Sequence, residues 1–297
     1  MKTKKKYVSH RRRDGVQIAS ALVLTFLVAL ILIPFWNAFV ISVETTQAHA
    51  RHPFSWLPGE FSLGNYQTIF SRGSMLVVAY RSTVLITLFG TALSMGISVM
   101  AAYPLSRRFP GRKAILLLML VTMYFGGGLV PTYLQIKNMG LLDTYTIVVL
   151  LGMVSVFNIV IMKNGFESAP MEIQEAAMID GANDLVLFAR IMLPLQKPLI
   201  ATFSLFTAVG YWNSWYWPML LLNSADKTTL QLQLRQIIST ANQAVGRASA
   251  SGMTEQSVFP DGIKMASVFV VVLPIMLVYP FLQKYFVKGI MVGAVKM

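Results

Sequence analysis

The chain has 297 residues, of which 55 % are apolar and 12 % charged, with a mean hydropathy of +0.61. Soluble domains carry about 25 % charge, so most of this sequence must face lipid or protein, and the absence of cysteine excludes disulfides, thiol catalysis and cysteine metal sites. The net charge of +13 comes without the soluble basic face and interleaved aromatics that nucleic-acid binding needs; it fits Lys and Arg gathered on one side of a membrane with anionic headgroups.

Six apolar stretches follow in order: Val16–Val43, Met75–Tyr103, Ala114–Leu134, Thr144–Met162, Leu199–Leu222 and Ala266–Phe286. Each is near or above the ~20 residues that cross a hydrocarbon core. Backbone groups in lipid must be paired within the segment, so each reads as a helix. The expected fold is an all-α integral membrane domain over residues 16–288, behind a basic cytoplasmic tail at 1–15 and ahead of a cytoplasmic tail at 289–297. The first stretch follows Lys2, Lys4, Lys5, Lys6, Arg11, Arg12 and Arg13, and Ala48-His49-Ala50 imitates a signal cleavage site. Its apolar run far exceeds the ~7–15 residues of a signal-peptide core, so it reads as a retained anchor. Ser82, Thr83, Thr87, Thr91, Ser94 and Ser98 in the second stretch read as contacts between helices.

With the N-terminal tail inside, seventeen of the 25 Lys and Arg fall on the same side, including Arg107, Arg108, Arg112 and Lys113 after the second stretch. Both termini and the loop 163–198 are therefore expected in the cytoplasm. No ionisable group sits in the middle of a stretch, which disfavours a proton- or ion-coupled transporter. No convergent acid, base or nucleophile set suggests an enzyme. His10, His49 and His52 lie outside the stretches with no pattern that completes a metal site.

The loop 163–198 is acidic until Arg190, unlike the Lys- and Arg-rich helices that lie on anionic membranes. Ser168 is expected to cap a helix with Pro170 in its first turn. That helix runs through Glu175, Ala176 and Ala177 to about Asp180, with Gly181 ending it in a left-handed turn. Asp184 is expected to cap a second helix, Leu185–Ile191, which Pro194 ends. Ala177 and Gly181 would form a flat face for close approach, with Met178, Ile179 and Leu185 as apolar contacts. Glu175, Asp180 and Asp184 would meet basic groups of a partner. The loop 223–265 is long and polar; Leu230–Gln243 has helical spacing, and the Gly-, Ala- and Ser-rich tip Ala244–Gly252 reads as mobile.

The run Glu175-Ala176-Ala177 with Gly181, then Ile191, Leu193 and Pro194, reads E-A-A-x₃-G-x₉-I-x-L-P. It resembles the signature of the permease subunits of ABC importers. Tyr124–Tyr133 with its Gly126-Gly127-Gly128, Lys137–Thr144, Tyr211-Trp212-Asn213 and Lys288–Lys296 resemble the carbohydrate-uptake permeases. Over nearly the full length the chain is similar to the six-helix MalG type, in the LplC/YtcP-like branch, to which permeases of alginate importers also belong. The resemblance implies the type I importer permease fold and uptake of oligosaccharide or polysaccharide fragments, alginate among them. It implies as partners a second homologous permease, two ATPase subunits and an extracytoplasmic solute-binding protein in the bacterial inner membrane. This chain lacks G-x-x-x-x-G-K-[ST], so ATP and Mg are expected on the ATPase subunits.

The resemblance assigns Glu175, Ala176, Ala177, Asp180, Gly181 and Asp184 to ATPase docking. Tyr211, Trp212, Asn213 and Trp215 are candidates for the substrate path, with an interfacial aromatic belt as the other reading. Gly246, Arg247, Ser249 and Ser251 are candidates for contact with the binding protein. A permease for a non-sugar solute and a stand-alone secondary transporter remain the alternatives.

Overall fold

The computed structural model describes residues 10–52, 54–71, 74–224, 226–251 and 261–294. At 10–14, 46, 50, 241–242, 244–251, 279 and 281–294 the description is of backbone only. Among the described residues the chain is almost wholly helical, the exception being a single antiparallel bridge between Glu44 and Phe61.

Contacts divide the chain into two compact units. The first comprises Met1–Ile69 with Thr240–Phe269. Its long helix α1 (His10–Ser42) is followed by the short α2 (Thr46–Arg51) and α3 (Gly64–Ile69). Leu22, Phe26 and Ile31 on α1 are exposed, as expected of a helix with lipid or another subunit around it. Its end is built in: Phe35 and Phe39 lie 5.3 and 5.6 Å from the Phe269 ring, and Asn65 Nδ2 donates to the Ser42 and Glu44 carbonyls at 3.1 and 3.2 Å.

The second unit comprises Phe70–Ser239 with Val270–Met297. Its axis is α4 (Met75–Ser106), opened by Ser74, whose hydroxyl accepts the Leu76 N–H at 3.3 Å. The third expected stretch is two helices, α5 (Arg112–Tyr124) and α6 (Leu129–Asn138), meeting at 106°. Three glycines break it, and Gly128 has φ +84°, a conformation that a side chain penalises. The fourth stretch is also broken, by 45°, between α7 (Tyr145–Gly152) and α8 (Val156–Glu167). The helix restarts at Ser155, whose hydroxyl accepts the Asn158 N–H at 3.2 Å.

The loop after α8 holds α9 (Met171–Ile179), α10 (Asp184–Val186), a π-helical segment Leu187–Met192 and α11 (Leu193–Leu195). The fifth stretch is α12 (Lys197–Trp212) and α13 (Tyr216–Leu221), interrupted at Asn213–Trp215. Next, α14 (Leu230–Ser251) stays helical through the part of the tip expected to be mobile, up to Ser251. Finally α15 (Asp261–Ala294) starts before the sixth expected stretch and continues through 289–294, which sequence reading gave to a tail. Counting bent pairs as single spans, the described helices supply up to six crossings. The core is the packing of α4 against α8, α12 and α7.

Candidate functional site

The loop between α8 and α12 is built as a rigid block. Its first helix begins at Pro170 (φ −56°, ψ 132°), not at Ser168. Ser168 closes α8 instead: its N–H reaches the Asn164 carbonyl at 3.0 Å and its hydroxyl donates to the Gly165 carbonyl at 2.8 Å. Glu172 is left in the first turn of α9, where the helix dipole favours it. At the far end Gly181 is left-handed, φ +84°. The Ala182 N–H bonds the Ala177 carbonyl at 2.9 Å and the Gly181 N–H bonds the Met178 carbonyl at 3.1 Å. That pair is a Schellman closure, and it needs the positive φ. A Cβ at Gly181 would meet nothing within 4 Å, so within this chain the backbone, not space, calls for glycine.

Asn183, not Asp184, caps the next helix: its Oδ1 accepts the Val186 N–H at 2.8 Å. Pro194 does not end that helix but lies within its last turn, in α11. The π turns just ahead shift the hydrogen-bond spacing from four residues to five, so the missing proline N–H interrupts no regular α ladder. The chain turns by 74° only at Gln196, whose Nε2 donates to the Gly165 carbonyl at 2.8 Å.

Ala177 faces inward, 7 % exposed, in a core with Phe166, Leu187 and Met192. It seats α9 and is not part of the outer face. Arg107, at the end of α4, donates to Gln174 Oε1 and to the Tyr103 hydroxyl, both at 2.6 Å, and its guanidinium lies 4.9 Å from the Tyr103 ring centre. Tyr103 in turn packs on Phe188 at 4.7 Å and Phe166 at 5.6 Å. Arg112 and Lys163 both pair with Glu167, the latter at 2.9 Å. The loop is thus tied to α4 by Arg107 and to α8 by Gln196; Leu116 and Met119 of α5 pack against the core it shares, and Arg112 ties α5 to the end of α8. Its outer surface presents Glu175, Ala176, Asp180, Gly181 and Asp184, all exposed. Beside them Ile179 is 86 %, Leu185 74 % and Met178 48 % exposed. Exposed apolar side chains grouped this way suit a protein–protein or a membrane contact.

Elsewhere in the same unit a pocket of about 410 Å³ opens where the fourth and fifth spans are broken. Gly152, Ser155, Phe157 and Asn158 contribute from the first break, Ser214 and Trp217 from the second, and Phe203, Phe206, Thr207 and Tyr211 from α12. Among the described residues around it, the Tyr211 phenol is the one ionisable group. Asn158 Nδ2 donates to Thr207 Oγ1 at 3.2 Å. Ser94, fully buried on α4, also lines the pocket, with a hydroxyl that has no hydrogen-bond partner.

Residues 20–292 match the family described as binding-protein-dependent transport system inner membrane component. This chain belongs to that family. The permease is 41 % identical over 273 residues to the Bacillus subtilis (strain 168) polygalacturonan/rhamnogalacturonan transport system permease protein YtcP, covering 89 % of this chain and 92 % of that one. It is 39 % identical over 295 residues to Protein LplC of the same organism, covering 98 % of each. Among solved structures it matches, at TM-score 0.82 and 30 % identity, a chain of a bacterial ABC transporter involved in the import of the acidic polysaccharide alginate. That match covers 95 % of the permease and all of the other chain. The likeness establishes a permease of the type I ABC importer fold, a multi-pass membrane protein.

Of the four residues expected on the permease's substrate path, only Tyr211 reaches the pocket. Its hydroxyl donates to the Val149 carbonyl at 2.9 Å. Trp212 is buried, with Nε1 donating to the Val271 carbonyl at 3.2 Å and its ring edge-on to Tyr80 at 5.9 Å. The Asn213 side chain accepts from Gln231 Nε2 at 2.9 Å, and Trp215 lies under Arg235 at 3.9 Å. Those three support α14 and α15. Gly246, Arg247, Ser249 and Ser251 are described as helical backbone only, so the side chains of Arg247, Ser249 and Ser251 lie outside the description. Asn158 and Thr207 were not singled out from sequence; single polar residues inside long apolar runs were the available signal. In the second span, Ser82 bonds the Tyr145 hydroxyl at 2.9 Å and Thr83 Oγ1 accepts the Leu230 N–H at 2.8 Å, as helix contacts should. Among the described residues there is no His, Asp and Glu cluster fit for a metal.

A second tie lies at the start of α7. Asp143 has φ +58°, and its carboxylate accepts the Asn223 and Ser224 N–H groups at 3.0 and 3.1 Å, the Ser224 hydroxyl, and Lys227 Nζ at 2.9 Å. Ser224 first, then Lys227, holds its pKa well below the usual carboxylate range. The latch joins the entry of the fourth span to the exit of the fifth.

Proposed function

We propose that this permease imports oligosaccharides or polysaccharide fragments, with the loop 163–198 docked on a separate ATPase at the cytoplasmic face of the bacterial inner membrane. A second, homologous permease, two ATPase subunits holding ATP and Mg, and an extracytoplasmic solute-binding protein complete the assembly. The observation that carries the docking assignment is the outer face of α9 and α10: exposed Met178, Ile179 and Leu185 beside Glu175, Asp180 and Asp184 on a block tied to three spans. Apolar anchors rimmed by charge are what a protein partner buries. Arg107 and the Tyr103–Phe166–Phe188 cluster make the loop and the end of α4 move together, so closure of an ATPase dimer would be passed into the spans. Sugar as cargo is supported by the relatives' names, which carry polygalacturonan, rhamnogalacturonan and alginate.

The test is Gly181→Trp. Tryptophan at φ +84° opposes the Schellman turn and adds bulk to the docking face, at a position where a Cβ itself meets nothing within 4 Å. Transport in reconstituted vesicles should be abolished and co-purification with the ATPase weakened, while the permease still inserts. Normal transport by this variant would remove the docking assignment.

A further inference from the structure

We propose that the pocket at the two broken spans is a subsite for the uncharged face of a pyranose, and that this pocket does not read a sugar's carboxylate. The proposal rests on the importer reading and names the part of the cargo that this subunit touches.

Broken backbone at membrane depth is tolerated where protein buries it or where it lines a cavity. Here both breaks, Met153–Ser155 and Asn213–Trp215, come to one cavity, and residues on either side of each break form its wall. Discontinuous helices are where transporters place cargo sites. At about 410 Å³ the pocket lies within the ~300–1,000 Å³ range of small-molecule sites. Its chemistry is amphipathic in the way a sugar ring is. Phe157, Phe206 and Trp217 offer flat apolar faces for the C–H side of a ring. Asn158 offers an amide with two donors and an acceptor oxygen, one donor being committed to Thr207.

The cargo named for the relatives' systems includes acidic polysaccharide. Yet among the described residues lining the pocket there is no Lys, Arg or His. A carboxylate set against that wall would find no cationic partner there, and any water it gave up would go uncompensated. The ring's neutral face and hydroxyls fit the wall; its acid group must stay in water or meet another subunit.

The test uses the assembled transporter. Because this chain has no cysteine, Thr207→Cys places its sole thiol on the pocket wall. With the binding protein omitted, trigalacturonate, trimannuronate and fully methyl-esterified trigalacturonate are added directly, and maleimide labelling of this chain is read on a gel. The esterified, uncharged trimer should slow labelling at least as strongly as the acidic trimers. Asn158→Leu, recovered in the complex at wild-type yield, should lower binding-protein-dependent uptake of whichever acidic trimer the wild type carries, by roughly three- to tenfold for a lost neutral hydrogen bond. Asn158→Gln should recover part of it. Protection by the acidic trimers alone overturns the proposal, because the pocket then reads the carboxylate. Absence of protection by any trimer, with wild-type uptake intact, overturns the pocket and leaves the importer reading standing. Absence of both protection and uptake overturns the two together.

Discussion

Tyr211 is gripped between two glycines, and substituting either one loads a single, identifiable contact. A Cβ at Gly90 would stand 2.6 Å from Tyr211 Cζ, and one at Gly152 would stand 2.7 Å from its hydroxyl oxygen. The ring cannot flex, and its hydroxyl is held by the Val149 carbonyl at 2.9 Å. Gly90→Ala therefore has to displace the whole ring. Overpacking of this kind costs about 1–3 kcal/mol, and the strained Tyr211–Val149 bond puts another ~0.5–1.5 kcal/mol at risk. Alanine in mid-helix returns up to about 1 kcal/mol relative to glycine. The net is about 0.5–4.5 kcal/mol, or roughly 1–18 °C in melting temperature at ~2–4 °C per kcal/mol. The assay is thermal melting of the purified complex, with Tyr211→Leu and the double variant alongside. Tyr211→Leu alone should destabilise through the cavity it leaves, and Gly90→Ala in that background should cost little more. A Gly90→Ala protein as stable as the wild type, or additive costs in the double variant, would refute the wedge.

Glu175→Lys should sharply reduce ATPase stimulation by loaded binding protein, since a like charge in a docking contact costs several kcal/mol, while hydrolysis by the isolated ATPase stays unchanged; undiminished stimulation would mean that Glu175 faces solvent in the assembly. Asp143→Asn keeps the tolerance of φ +58° but removes the charge that Ser224 and Lys227 stabilise. The folded pKa of Asp143 is depressed, so its contribution is present above the unfolded value of ~3.9 and is lost as pH falls through the folded value. The stability gap between wild type and Asp143→Asn should thus be flat from pH 8 to 5 and shrink below about pH 4; a gap that changes near neutrality would assign the effect elsewhere. Replacing 246–251 at the end of α14 by a shorter Gly-Ser turn should leave assembly intact but lower substrate-stimulated ATPase activity; wild-type stimulation and uptake would make the segment a mere connector.

The apolar stretches that supply up to six crossings are legible in sequence because lipid imposes length and apolarity directly. The break in the fourth span is not, because it needs no polar marker: Leu151-Gly152-Met153-Val154 is as apolar as the helices around it. A glycine followed three residues later by Ser155, a capping side chain, was the readable trace. The same limit applies in the loop. Glu175, Asp180 and Asp184 are exposed as charge demands, and Gly181 ends α9 as its missing side chain allows. However, Ser168 against Pro170 and Asp184 against Asn183 are choices of one or two residues that caps alone do not decide. Ala177 points inward because α9 is apolar on more than one side, so its seat depends on Phe166 and Leu187, which sequence does not bring near it. The aromatic run 211–217 draws attention by composition, yet Trp212 and Trp215 are spent holding α15 and α14.

Polar residues within spans separate in a way that only the structure reveals. Ser82, Thr83 and Trp212 have partners in neighbouring elements and act as joints. The hydroxyls of Thr87, Thr91, Ser94 and Ser98 are buried without a partner, and of these residues Ser94 stands at the wall of the pocket, as does Asn158. A buried polar group without a partner is costly to keep in an apolar span. Asn158 serves both ends: its bond to Thr207 ties α8 to α12, while its second donor and its acceptor oxygen stand at a helix break beside three phenylalanines of the pocket, where a passing ligand would meet them.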